Sequence, residues 1–280
     1  MKYWILGASG QLGQELVHLT KENGLDVKAY TSQELDITNL ELLLATAQKE
    51  QPDVILDAAA YTKVDLAEDD GKVLNWQVNA VGTQNLVKIS QAINAKLVYV
   101  STDYVFDGTS SDEYTEDALV KPQNEYGRAK LAGEFAILNA NIDAYIVRTS
   151  WVFGEYGNNF VYTMQRLAKQ HKRLTIVDDQ IGRPTWTKTL AQFMLHLIQV
   201  EAAYGTYHLS NDNSASWFEF AQEILKDVDV EVAPITSAEF PQKAYRPKDS
   251  VMSLAKAKAT GFNIPTWQEA LEEFMDNENK

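Results

Sequence analysis

Lys2-Tyr3-Trp4-Ile5-Leu6-Gly7-Ala8-Ser9-Gly10-Gln11-Leu12-Gly13 decides the fold. Its apolar opening reads as a strand, its glycines as a turn, and residues 11–22 as an amphipathic helix. Glycine lets the chain turn tightly, and bare backbone can approach a pyrophosphate at a helix N-terminus. The spacing is GxxGxxG rather than GxGxxG, and a strand–helix turn without a ligand has the same composition. Its place between first strand and first helix favours a dinucleotide. Gly7, Gly10, Gln11 and Leu12 are then candidate cofactor contacts.

Outward from this turn, strands and helices alternate. Strands are expected at 27–31, 54–59, 96–100 and 144–149, and helices at 40–49 and 82–94. Such alternation implies an α/β fold, a doubly wound parallel sheet of Rossmann type, with ligands beyond the carboxyl ends of its strands. Residues 107–124 are polar and rich in turn formers, which predicts a surface loop. Past Trp151 the alternation becomes irregular. Helices are expected at 160–170 and 217–226, and short strands at 206–209 and 228–233. We read 1–150 as a dinucleotide-binding domain and 151–280 as a smaller C-terminal substrate domain. The amphipathic stretch 187–199 suggests that about 186–210 returns to the first domain.

Composition limits the function classes. The chain has 280 residues, 45% hydrophobic and 23% charged, near globular averages. With a net charge of −14 it is a poor partner for nucleic acid or an anionic membrane, although a small phosphorylated ligand needs only local cations or a helix N-terminus. No apolar run approaches the ~18 residues of a membrane span. There is no cysteine, and MKYWILGASG holds no signal peptide, so a cytoplasmic protein is expected. No tight carboxylate cluster suggests a metal.

Tyr126-Gly127-Arg128-Ala129-Lys130 carries the chemistry. On a helix over 126–138, Lys130 would share a face with Tyr126. Reducing a ketone requires a proton at oxygen as hydride reaches carbon. A phenol titrating near 10 suits neutral pH poorly, and a nearby ammonium would lower that value. YxxxK is common by chance, so the partner matters: Ser101-Thr102-Asp103-Tyr104 follows a central strand, placing the Thr102 hydroxyl where ligands bind. Ser or Thr there is otherwise an ordinary turn residue. The region around the end of the second strand, 28–33, lacks the acid that usually holds the ribose 2′-hydroxyl. NADPH is therefore tolerated, and NADH use stays open. Asp36 would lie near the adenine or simply start a helix.

These residues resemble the extended short-chain dehydrogenase/reductases, and several stretches resemble the dTDP-4-dehydrorhamnose reductase family in particular. The likeness covers nearly the whole chain: GASGQLG at 7–13, LDIT at 35–38, DAAAYTKVD at 57–65, STDYVFDG at 101–108, NEYGRAKLAG at 124–133, RTSWVFG at 148–154, GNNF at 157–160 and DQIGRPT at 179–185. It implies NADPH-dependent reduction of a 4-keto sugar on dTDP, for polysaccharide precursors. Tyr126 would be the proton donor, Lys130 its partner and a ribose contact, and Thr102 the tuning hydroxyl. Asp103 and Trp151 would meet the sugar nucleotide, while Asp36, Ile37, Ala58, Ala60, Tyr61 and Thr62 would line the dinucleotide. Arg183, Arg246 and Lys63 are candidate diphosphate partners, or solvated surface charges. Near RPKDSVMSL at 246–254, Ala255 replaces an Asp common in the family. An epimerase or dehydratase of the same superfamily, and a non-catalytic dinucleotide-binding regulatory subunit, are the competing readings. The sequence does not decide between monomer and homodimer.

Overall fold

The computed structural model describes residues 1–278. The first half alternates β1 (Lys2–Leu6), α1 (Gln11–Glu22), β2 (Asp26–Tyr30), α2 (Leu40–Glu50) and β3 (Val54–Asp57). A 3-10 turn (Leu66–Glu68), α3 (Lys72–Trp76) and a π-helical turn (Gln77–Gly82) lead into α4 (Thr83–Ile93). Then come β4 (Lys96–Thr102), α5 (Glu125–Leu138) and β5 (Ala144–Thr149). The second half contains β6 (Val152–Phe153), α6 (Phe160–Ala168), β7 (Arg173–Val177), β8 (Ile181–Gly182), β9 (Thr185–Trp186), α7 (Thr187–Gln199) and β10 (Gly205–His208). It ends with β11 (Ala215–Ser216), α8 (Trp217–Ile224), β12 (Glu231–Ile235), α9 (Ala255–Ala259) and α10 (Trp267–Glu278).

Six strands form one parallel sheet in the order β2-β1-β3-β4-β5-β10. Alternate side chains of each strand serve opposite faces. Tyr3, Ile5, Val54, Leu56 and Val98 pack under α1 and α7. Trp4, Leu6, Ile55, Leu97 and Tyr99 pack under α2, α4 and α5. Both faces are therefore covered, which is why these strands read as continuous apolar runs. The order reverses between β1 and β3, so the glycine turn after β1 opens at the switch point. Helix α7 packs on α1, and β10 pairs with β5, so the chain re-enters the sheet after leaving it.

A second apolar core joins Phe153, Val161, Leu174, Trp186, Phe220, Trp267 and Phe274 of the smaller C-terminal part. Around it lie two-stranded pairings, β7 with β12 in parallel, β8 with β11 antiparallel, and β6 with β9 in parallel.

Two expectations change. The strand expected over 54–59 stops at Asp57, and Ala58–Ala60 continue as irregular chain lining a cavity. The stretch 107–124 is not simply a surface loop. Tyr114 is buried, stacks on Phe106 with ring centres 4.2 Å apart, and bridges to Met252. Its phenol accepts from the Thr109 and Ser110 amides. Polar composition describes the segment's outer side and misses this anchor. No helix among the described residues is long and apolar enough to cross a membrane.

Candidate active site

Two adjoining cavities open at the carboxyl ends of β1, β3 and β4, of about 560 and 500 Å³, and Ser9, Gly10 and Ala58–Ala60 belong to both. The glycine turn shapes their junction. Gly7 has φ +77°, and a Cβ there would lie 2.7 Å from the Ala59 backbone. A Cβ on Gly13 would come 2.1 Å from the Gly7 carbonyl oxygen. Close approach of three backbone segments therefore requires both glycines. Gly10 caps α1 without a side-chain hydrogen bond, leaving the first amides of the helix directed at the cavities, a ready anion site. An apolar cleft in two halves meeting at an uncapped helix N-terminus suits a dinucleotide diphosphate.

The second cavity holds Gly7, Asp36, Ile37 and Tyr61. Asp36 is exposed, its Oδ1 accepting the Thr38 amide at 2.8 Å and hydroxyl at 2.9 Å. Tyr61 is held by Asn79, which accepts the Tyr61 amide at 3.1 Å and donates to its carbonyl at 2.9 Å. Ser32 also reaches this cavity.

The larger cavity holds Gln11, Leu12, Thr62, Thr102, Asp103, Tyr126, Lys130 and Trp151. Strand β4 ends at Thr102, whose hydroxyl donates to Asp103 Oδ1 at 3.0 Å and hydrogen-bonds with Tyr126. Asn124 caps the start of α5, its Oδ1 accepting the Gly127 amide at 2.7 Å. A Cβ at Gly127 would lie 2.2 Å from the Tyr104 carbonyl oxygen, so the first turn of α5 lies directly on the end of β4. Lys130, 2% exposed, points its Nζ over the Tyr99 ring, 4.0 Å from its centre. Trp151 (φ +47°) stacks on Trp217 at 3.6 Å, with bare Gly182 behind it, where a Cβ would lie 2.6 Å from the indole.

The electrostatics of Tyr126 differ from the sequence reading. Lys130 is not what governs the phenol: burial, then Asp103, push it above its ordinary value, and the Thr102 hydrogen bond works in the other direction. The ammonium instead serves Asp57 and Glu134. Burial lowers Lys130 to about 8 against the pull of those two carboxylates. Burial likewise lifts Asp103 to about 6, opposed by the Ser250 and Thr102 hydroxyls.

Not every predicted residue reaches the cavities. Arg183 is buried and committed to Asp212 at 2.9 Å and Glu113 at 2.5 Å. Arg246 pairs with Asp65 at 2.9 Å and lies 5.6 Å over Tyr104, behind the wall rather than on it. Lys63 is exposed. Sequence reasoning missed Asp57, Trp217 and Leu190 in the lining. The tryptophan could have been suspected from RTSWVFG needing an apolar backing; the others carry no local signal.

Residues 1–280 match the RmlD substrate binding domain family. The dTDP-4-dehydrorhamnose reductase of Aggregatibacter actinomycetemcomitans is 40% identical, over 95% of this chain and 96% of that one. A crystal structure of dTDP-4-dehydrorhamnose reductase from Bacillus anthracis in complex with NADP is 42% identical with a TM-score of 0.95, covering 99% of each chain. The Clostridium acetobutylicum structure of that name is 40% identical with a TM-score of 0.96, covering 100% of each chain. In sequence and in fold, the chain belongs to the RmlD substrate binding domain family, with the dTDP-4-dehydrorhamnose reductases that it matches from end to end.

Proposed function

We propose that this protein is an NADPH-dependent oxidoreductase that reduces the 4-keto group of dTDP-4-dehydro-L-rhamnose to give dTDP-L-rhamnose, a polysaccharide precursor. The proposal takes the cytoplasm as its setting. The observation that carries it is the meeting of Thr102, Asp103, Tyr126 and Lys130 on one cavity wall, at the end of a central strand. Full-length similarity to reductases of that name supports the substrate, and the NADP complex of the Bacillus anthracis protein supports the cofactor.

In this reading the first turn of α1 and Ala58–Thr62 hold the dinucleotide, which supplies hydride to the carbonyl carbon when bound. The residues of the chain manage the proton. Tyr126, kept protonated by burial and Asp103, donates its phenolic hydrogen to the carbonyl oxygen as negative charge builds there. An alkoxide is a stronger base than a phenolate, so the transfer runs toward substrate. The Thr102 hydroxyl orients the phenol and favours the phenolate that remains, while the Lys130 ammonium adds positive charge to the same cavity wall. The stacked Trp151–Trp217 pair offers the sugar nucleotide an apolar wall opposite the hydroxyls.

The test is purified protein with dTDP-4-dehydro-L-rhamnose, following NADPH absorbance and the mass of the product. The expected result is NADPH loss matched by a sugar nucleotide heavier by one hydrogen molecule. Bound NADPH without turnover of this substrate would remove the assignment.

A further inference from the structure

Asp57 is the last residue of β3, 2% exposed, and lines the same cavity as Lys130, yet the proton transfer described above does not use it. Its Oδ1 accepts the Ala59 amide at 3.1 Å. Its Oδ2 is buried and has no hydrogen-bond partner among the described residues. A carboxylate so placed is costly unless an opposite charge compensates it.

Lys130 supplies that charge: Asp57 stands beside Tyr99 in the β3–β4 register, and the Lys130 Nζ lies 4.0 Å over the Tyr99 ring on the same cavity wall. Three titratable groups face its ammonium, Asp57 from β3, Tyr99 from β4 and Glu134 from α5 itself, and the Tyr126 phenol lines the same cavity. Tyr99 and Tyr126 are neutral phenols, both held above their ordinary values. Glu134 is committed elsewhere. Its two oxygens receive Arg148 of β5 at 2.9 and 2.7 Å, and one also accepts the Ser101 hydroxyl. That leaves Asp57 as the carboxylate whose charge is free to act on Lys130.

We infer that Asp57 is a positioning residue for Lys130, holding it as an ammonium within a buried wall and so setting the alkaline limit of turnover. The inference rests on the reductase reading above. Burial alone drives Lys130 toward the neutral amine, and Asp57 is the largest opposing influence. Asp57 in turn is lifted to about 6 by burial, with Lys130 opposing. Between about 6 and about 8, then, both groups carry charge. Without Asp57 the ammonium gives up its proton at lower pH. An opposite charge sharing a buried wall is worth about one pH unit, so the loss of turnover should be about fivefold greater at about pH 8 than at about pH 6.

The variant is Asp57→Asn, which keeps the size and leaves an oxygen for the Ala59 amide. Two readouts are needed. The first is the pH profile of kcat and kcat/KM, whose alkaline limb should move to lower pH. The second needs no turnover: an NMR titration of the Lys130 ε-methylene in nucleotide-free protein, assigned by its loss in Lys130→Arg. Its midpoint should be about 8 in the wild type and fall by about one pH unit or more in Asp57→Asn. Coincident midpoints with an unmoved limb would overturn the inference, as would a wild-type Lys130 titrating near its ordinary value. If Asp57→Asn does not fold, Asp57→Ser is titrated in its place, with the same outcomes deciding. Absence of wild-type turnover would count against the reductase reading alone, since the titration is independent of it.

Discussion

Glu134 of α5 meets Arg148 of β5 behind the cavity, and Lys130, one turn earlier on α5, shares the cavity wall with Asp57 of β3. Both pairs are almost wholly buried. The first is saturated: the guanidinium reaches both carboxylate oxygens, its Nη1 also donates to the Glu116 carbonyl at 3.3 Å, and Ser101 completes Glu134. The neighbouring His208, 3.4 Å from Arg148, is held down at about 3 by burial and that guanidinium, so it stays neutral. The second pair is left incomplete. Asp57 Oδ2 has no hydrogen-bond partner among the described residues, Lys130 rests on a ring face, and both titrations are displaced toward neutrality. A saturated charge cluster holds a fold together, whereas an unsaturated one facing a cavity stores the capacity to bind and to move protons.

The largest stability effect should come from breaking the saturated cluster. Arg148→Met leaves Glu134 buried without its partner and should cost about 3–5 kcal/mol, measured by urea unfolding. A loss below about 1 kcal/mol would erase the distinction between the clusters. The unsaturated region should respond in the opposite direction. Asp103 titrates at about 6 in the folded protein against about 3.9 unfolded. Its neutral form is thus favoured by folding, and that stability is present below about pH 4 and lost as pH rises through about 6. Asp103→Asn should therefore unfold about 2 kcal/mol harder than wild type at neutral pH and nearly equally at about pH 4, while turnover falls. Equal stability at both pH values would show that Asp103 is not strained. The smallest effect belongs to the helix cap between β4 and α5. Asn124→Ala removes the acceptor of the Gly127 amide and the donor to the Tyr245 carbonyl. It should cost about 1 kcal/mol, and because Tyr126 sits in that first turn, kcat should drop more than KM rises.

The sequence made some of this legible. The glycine turn, β1, α1, β5 and α7 could be read because φ constraints and apolar period are local properties. Tyr126 and Lys130 could be placed together because four residues is one helical turn. The segment 66–82 was not legible: a 3-10 turn, five α-helical residues and a π-turn carry no sustained 3.6 period, yet Leu74, Gln77 and Val78 line the second cavity. Strand β7 escaped for the same lack of pattern, since only Leu174 and Val177 are buried in it. Asp57 and Lys130 lie on different elements, and nothing local joins them. The direction of the Tyr126 titration also had to come from the folded protein. A pairwise rule supplied the ammonium, while the packed site added burial and Asp103, which prevail.

The contrast between the clusters depends on the incomplete one doing chemistry through the phenol at its edge. Tyr126→Phe tests that most directly, with turnover, NADPH affinity and unfolding measured on one preparation. The expected result is a fall in kcat of about 10²–10⁴-fold, with NADPH affinity unchanged and stability equal to or above wild type. Wild-type kcat in a protein lacking that hydroxyl would contradict the account.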